Sequence, residues 1–180
     1  GAFISNHYST NPAIFSPDGY VSKLDFNGYK IWATYLKAQA NDIDVDSNNN
    51  IISTGYALQF DIIGTTGTHK PTKLSNDFDG YILKLNPDGQ RIWGTFYGGD
   101  SYGEDIISSA SVDIFNNIFI TGYAYSDTNI ATTGTHKEIK NSGYKDGFIA
   151  KMSPNGQRIW GTYYGGSNDD EGISITIDVN

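Results

Sequence analysis

The 180-residue chain contains no cysteine, which excludes both a disulfide framework and a thiol nucleophile. Charge is also scarce: charged residues make up 18%, below the about 25% of an average soluble protein. No apolar run approaches the ~18 residues that cross a bilayer as a helix, so no membrane insertion is expected. The opening segment, GAFISNHYST, has neither the basic nor the apolar region of a secretory signal. Basic residues are outnumbered, 12 Lys and Arg against 20 Asp and Glu, for a formal net charge of −8. Such a chain repels phosphate backbones and anionic lipid, so nucleic acid is not an expected partner. What the chain has in plenty is 13 Tyr, 21 Gly and an aromatic content of 14%. Tyr, Ile, Thr and Phe favour strands, while Gly, Asn and Asp favour turns, so the composition predicts an all-β fold with many tight turns.

Internal repetition organises the chain. DGYVSKLDFNGYKIWATYL (Asp18 to Leu36), DGYILKLNPDGQRIWGTFYGG (Asp79 to Gly99) and DGFIAKMSPNGQRIWGTYYGG (Asp146 to Gly166) align without gaps through Trp32, Trp93 and Trp160, which are 61 and 67 residues apart. VDSNNNIISTGYA (Val45 to Ala57) returns as VDIFNNIFITGYA (Val112 to Ala124), and Asp178 near the end matches Asp46 and Asp113. TTGTHK occurs at Thr65 to Lys70 and at Thr132 to Lys137, with the initial GAF as a further match to its GTH.

Each period holds four strand-like runs, in the middle copy 79–86, 90–98, 106–113 and 117–124. Period-two alternation puts Tyr81, Leu83 and Leu85 on one side and Ile82 and Lys84 on the other. Asn27-Gly28, Asp88-Gly89 and Asn155-Gly156 occupy hairpin positions that call for positive φ, and Asn49-Asn50 and Asn116-Asn117 close the other hairpin. Four strands per unit of about 60 residues in tandem is the pattern of a β-propeller blade, with a β-solenoid as the alternative. Fewer than three periods cannot close a ring, so the expected fold is an incomplete ring of four-stranded antiparallel blades. It divides into a partial blade (1–40, outer strands), two complete blades (41–98 and 99–165, the latter with its preceding loop) and the inner strand of a further blade (166–180).

These blocks resemble the SBBP family, β-propeller repeats of large bacterial surface proteins. The match is carried by the DGF-like strand, the W-x-T-Y-x-GG strand, the acidic loop and the VD-x-x-x-N hairpin, most closely in DGFIAKMSPNGQRIWGTYYGGSNDDEG (Asp146 to Gly172). TTGTHK is similar to the form found in Bacteroidota cell-surface proteins. The resemblance implies secretion to the cell surface, in some cases by the type 9 system with gliding motility or adhesion, and it implies no catalytic residues. By the same analogy the VD run is the innermost strand of each blade, followed by the TGY, DG and Trp runs. The first copy, IWATYLKAQANDIDVD, departs from the pattern by lacking both the Gly-Gly pair and the acidic loop.

Alternating strand direction places the tight turns on one face and the long connections (58–78, 125–145) with the acidic loops (99–105, 166–171) on the other. That second face is the candidate ligand face, because binding residues concentrate on loops held by a rigid scaffold. Asp100, Glu104 and Asp105 in one loop, and Asp169, Asp170 and Glu171 in the next, are the residue types that ligate a hard cation such as Ca²⁺. The competing structural explanation is that they accept backbone N–H bonds or face water. DIDVDSNNN (Asp42 to Asn50) has acids at alternate positions but lacks the central Gly and distal Glu of a calcium loop, so Asp46 is read as capping a turn. His69 and His136 share a repeat position and read as loop anchors, since no second ligand lies at metal spacing; His7 falls out of register. Trp32, Trp93 and Trp160, with Tyr97, Tyr163 and Tyr164, could stack on sugars, but repetition at the blade period favours packing between blades. Gly55 and Gly122 mark a bulge or a close backbone approach. Lys23, Lys84 and Lys151 read as partners of a neighbouring carboxylate or as cover for apolar surface. No catalytic set and no cofactor are expected, which makes the chain a non-enzymatic structural or interaction module, with a carbohydrate-binding propeller using the long-loop face as the alternative and a fragment of a propeller hydrolase or lyase as the second. The partners expected are the remaining blades of a longer chain, then secretion or surface proteins or glycans.

Overall fold

The computed structural model describes residues 19–58, 63–73, 77–100, 102–141 and 143–178; His7 and the initial GAF lie outside them. The described residues are all-β, with ten strands and no helix. β1 (Tyr20–Leu24) and β2 (Lys30–Tyr35) form a hairpin, while β3 (Gln39–Val45), β4 (Ile51–Ala57), β5 (Asp79–Leu85) and β6 (Arg91–Tyr97) form an antiparallel sheet in sequential order. β7 (Asp105–Val112), β8 (Ile118–Ala124), β9 (Asp146–Met152) and β10 (Arg158–Tyr164) repeat that sheet. Among the described residues no sheet closes into a ring. The strands run VD, TGY, DG, Trp across each four-stranded sheet, so the units are an open array of propeller-type blades and not a coil. Residues 171–178 form no strand. Among the described residues no strand pairs with them as β4 pairs with β3 and β8 with β7.

The tight turns share one chemistry. Asp46 Oδ1 accepts the N–H groups of Asn48 (2.8 Å) and Asn50 (2.9 Å), and Asp113 Oδ1 does the same for Phe115 (2.9 Å) and Asn117 (2.8 Å). Asn86 and Asp25 repeat the arrangement in the other hairpins. A short polar side chain thus satisfies the donors that a two-stranded turn leaves open. Within each dipeptide only one residue is left-handed: Asn49 (60°), Asn116 (65°), Gly28 (85°), Gly89 (78°) and Gly156 (78°). The residue before each glycine stays right-handed, because these turns run as a right-handed bend followed by a left-handed glycine.

Bulges recur at the blade period. The ladders skip Ile31, Ile92 and Ile159, the residue before each Trp, and all three isoleucines are left exposed. On the inner strands they skip Asn41 and Ser108, opposite Gly55 and Gly122. A Cβ on Gly55 would lie 1.9 Å from the Gln39 carbonyl oxygen, and one on Gly122 1.9 Å from that of Ile106. Glycine is therefore required at both positions by the bulge across from it.

Two apolar cores lie between units. Val21, Leu36 and Trp32 of the first hairpin pack on Tyr81, Leu83, Leu85 and Phe96 of the middle sheet. The opposite face of that sheet, with Ile52, Ile82, Trp93 and Tyr97, packs on Ile107, Ile120, Phe148, Met152 and Tyr163 of the next. The indole N–H of Trp32 donates to the Pro87 carbonyl, and that of Trp93 to the Pro154 carbonyl, both at 3.0 Å. A Cβ on Gly89 or Gly156 would touch the indole of the preceding unit, at 2.9 and 3.0 Å respectively. Trp32 and Trp93 are thus each clamped under the tight turn of the following blade. Lys84 reaches back to Asp46 at 2.9 Å within its own sheet, both side chains buried. Burial alone would push the Asp46 carboxyl up, but Lys84 and the Asn50 and Asn48 donors outweigh it and hold the group at about 2. Lys151 and Asp113 repeat the pair at 3.7 Å.

Trp93→Ala is expected to cost about 3–5 kcal/mol, the range for truncating a buried aromatic. Trp160→Ala, at the position that no following unit covers, should cost distinctly less; urea unfolding of both variants checks the difference.

Candidate functional site

The long-loop face is held by two equivalent lysine clamps. Lys70 Nζ meets Asp79 (3.1 Å), Asp100 (3.3 Å) and the carbonyls of Gly98 (2.9 Å) and Gly99 (2.7 Å). Lys137 Nζ meets Asp146 (2.6 Å) and the Gly165 carbonyl (3.0 Å). The lysine ending each TTGTHK loop therefore ties the DG aspartate to the Gly-Gly turn. Asp79 and Asp146 are buried, and a buried carboxylate persists when a cation and further hydrogen bonds compensate its lost hydration. These four residues were not singled out from the sequence, although their recurrence at one repeat position was visible there.

The acidic residues are spent on the loops themselves. Asp105 is buried and accepts the Gly99 N–H (2.7 Å), the Ser126 N–H (3.1 Å) and the Ser126 hydroxyl (2.7 Å). Burial pushes its carboxyl up, against the pull of those donors. Asp170 takes the equivalent role from a different repeat position, that of Gly103, and accepts the Gly166 N–H at 2.6 Å. Asp100 accepts from Asn129 Nδ2 at 2.6 Å as well as from Lys70. Asp169 accepts the Tyr144 N–H at 3.0 Å, and Glu171 pairs with Lys145 at 2.7 Å. Lys145, raised chiefly by that hydrogen bond, also lies 4.2 Å above the Tyr123 ring. Glu104 is exposed. Among the described residues no three His, Asp or Glu side chains converge as a metal-ligand set. Asp42 bonds Ser109 Oγ and the Ala110 N–H, and Asp44 the Val112 N–H, all at 2.8 Å. They link adjoining inner strands.

The two histidines occupy equivalent places in unequal surroundings. The His69 ring lies 5.7 Å from that of Tyr97, and the residue's backbone N–H donates to the Gly156 carbonyl of the next unit at 2.8 Å. Burial, with the charges of Arg158 and Lys70, lowers its pKa to about 4. His136 lies 5.8 Å from the exposed Tyr164 and is itself exposed. Trp32 and Trp93 lie between units, against the tight turns at the opposite end from these loops. Tyr97 and Tyr163 are buried, their hydroxyls donating to the Ile130 and Ser126 carbonyls at 2.7 Å. The structure therefore does not gather Trp and Tyr into one aromatic surface. Besides Tyr164, Tyr102 (90%) and Tyr144 (77%) are exposed in this region, and the repeat pattern did not single them out because they recur at no common position.

Open four-stranded units stacked face to face define a β-propeller-type repeat protein. The chain is similar to the "Uncharacterized WD repeat-containing protein L264" of Acanthamoeba polyphaga mimivirus, 23% identical over 194 residues that cover 92% of this chain. The chain spans 14% of that relative's length. The WD-repeat relative agrees with a propeller-type repeat. No family model matches the chain.

Neutral His69 in the fold against an ordinary imidazole in the unfolded chain means that acid favours unfolding. Stability contributed above pH 6.5 should be lost as the pH falls toward 4. Thermal melts of wild type and His69→Gln across that window should differ in slope, wild type losing more.

Proposed function

We propose that the chain is a non-enzymatic structural and interaction module, a run of propeller blades that spaces and presents loops within a large secreted bacterial surface protein. The observation that carries this reading is how completely its polar groups are used up in building blades. The lysine clamps, Asp105, Asp170 and the paired Asp42 and Asp44 each have a structural partner. The resemblance to SBBP repeats supports a cell-surface setting, with type 9 export from a Bacteroidota cell as its particular form. Adhesion and gliding machinery are then the partners of choice.

The exposed Tyr102 and Tyr144 beside the acidic loops favour glycan binding as the second reading, since rings of this kind stack on sugar faces. A glycan array separates the two. The scaffold reading expects no glycan retained above background. A hit lost in a Tyr102→Ala, Tyr144→Ala double variant of unchanged melting temperature establishes the second. The scaffold reading also expects the same melting temperature in millimolar Ca²⁺ as in EDTA, and a rise in Ca²⁺ contradicts it.

A further inference from the structure

The two lysine clamps differ by one cation. In the middle unit the buried Asp79 carboxylate is held from both sides. Its Oδ2 takes Lys70 Nζ at 3.1 Å, and its Oδ1 faces Lys73 Nζ at 3.9 Å, on a side chain with no exposed surface. Asp105 stands beside it across Gly98, where a Cβ would lie 2.8 Å from Asp79 Cγ and 2.9 Å from Asp105 Oδ2. Two buried carboxylates thus face two ammonium groups, with the half-exposed Asp100 at the rim beside Lys70.

The last unit builds the same cluster with its second lysine turned away. Asp146 is fully buried, and its Oδ2 takes Lys137 Nζ at 2.6 Å and the Asn141 N–H at 3.1 Å. Asp170 flanks it across Gly165, where a Cβ would lie 2.7 Å from Asp170 Oδ2 and 3.1 Å from Asp146 Cγ. Lys140 holds the repeat position of Lys73. Its Nζ instead binds the carbonyls of Tyr125 (2.7 Å) and Tyr144 (2.8 Å) and the Asp127 carboxylate (3.1 Å). Asp146 Oδ1, equivalent to the oxygen that faces Lys73, therefore meets no hydrogen-bond donor among the described residues. Both clamps are built on complete four-stranded units and their own loops.

A buried carboxylate oxygen with neither donor nor cation is costly. Asp146 and Asp170 share the single ammonium of Lys137, so one further positive charge balances the cluster. A divalent ion would overshoot that balance, and among the described residues no third carboxylate or histidine converges to hold one.

We infer that an alkali cation, K⁺ or Na⁺, binds Asp146 Oδ1 in the last unit, at the place the Lys73 ammonium takes in the middle one. The ion completes the tie between the 137–141 loop and the Gly165–Gly166 turn, and so sets the order of the long-loop face there. The inference goes beyond the scaffold reading and depends on no ligand of the exposed loops.

The test is hydrogen exchange read by mass spectrometry on the wild-type chain in KCl, NaCl and choline chloride at equal ionic strength. The middle clamp carries its own second lysine and serves as the internal control. At ten times the half-saturating concentration of K⁺ or Na⁺, exchange in 137–141 and 165–170 should be about tenfold slower than in choline chloride. Exchange in 70–73 and 98–100 should not change. No difference between the salts overturns the proposal, by leaving the oxygen to water or to Lys140. Equal slowing at both clamps overturns it as well, as a general effect of salt. Asp146→Asn should abolish the response, and a response that survives in it contradicts the site. Lys73→Ala should create a new response at 70–73 and 98–100, and a folded Lys73→Ala chain that stays insensitive there counts against the proposal.

Discussion

The structure depends on one constraint: a four-stranded sheet with two apolar faces must be covered on both. The middle sheet meets it, and β5 is buried along its whole length. It does so because one face takes the first hairpin and the other takes the last sheet. Neither core is completed within a single unit, since each draws side chains from two. A lone repeat would leave one side of its sheet in water, so stability here is a property of neighbours, as in repeat proteins generally.

Polar groups enforce the geometry that the apolar faces only favour. Hydrophobic burial has no direction, and two sheets could slide without losing much area. The indole N–H donating to a turn carbonyl, the Asp42 and Asp44 bonds to β7, and the histidine N–H to the next turn each fix the sliding coordinate at a separate height. Within a unit, the lysine clamp does the same for the long loop, tying TTGTHK to the DG aspartate and the Gly-Gly turn. The acidic character of the loops follows from this, because carboxylates are the acceptors that organise N–H-rich turns.

Much of this was legible in the repeats. The strand runs, the side-chain alternation of Tyr81 to Leu85, the bulge glycines and the Asx turns all follow from residues within a few positions of one another, while the order of strands across the blade came from the family resemblance. What stayed illegible depends on distant groups. DGF reads as a strand start, and nothing local reveals that its aspartate sits under a lysine from a loop nine residues earlier. The acids of GGDSYGEDI read as cation ligands until the Gly99 and Ser126 donors are seen around Asp105. The final VD-like run reads as a strand, but a strand exists only in a ladder, and residues 171–178 touch the last sheet through isolated bonds such as Gly172 N–H to the Gly122 carbonyl without joining one.

The sequence by itself determined the repeating unit, its four strands, its turns and the positions where only glycine fits, because period-two patterning and turn chemistry act over short stretches of backbone. Only the tertiary structure decided which copies of a repeated residue are buried and which are open: Tyr97 against Tyr164, His69 against His136. Identical residues at identical repeat positions carry the same local information, and burial is set by whether another sheet lies across them.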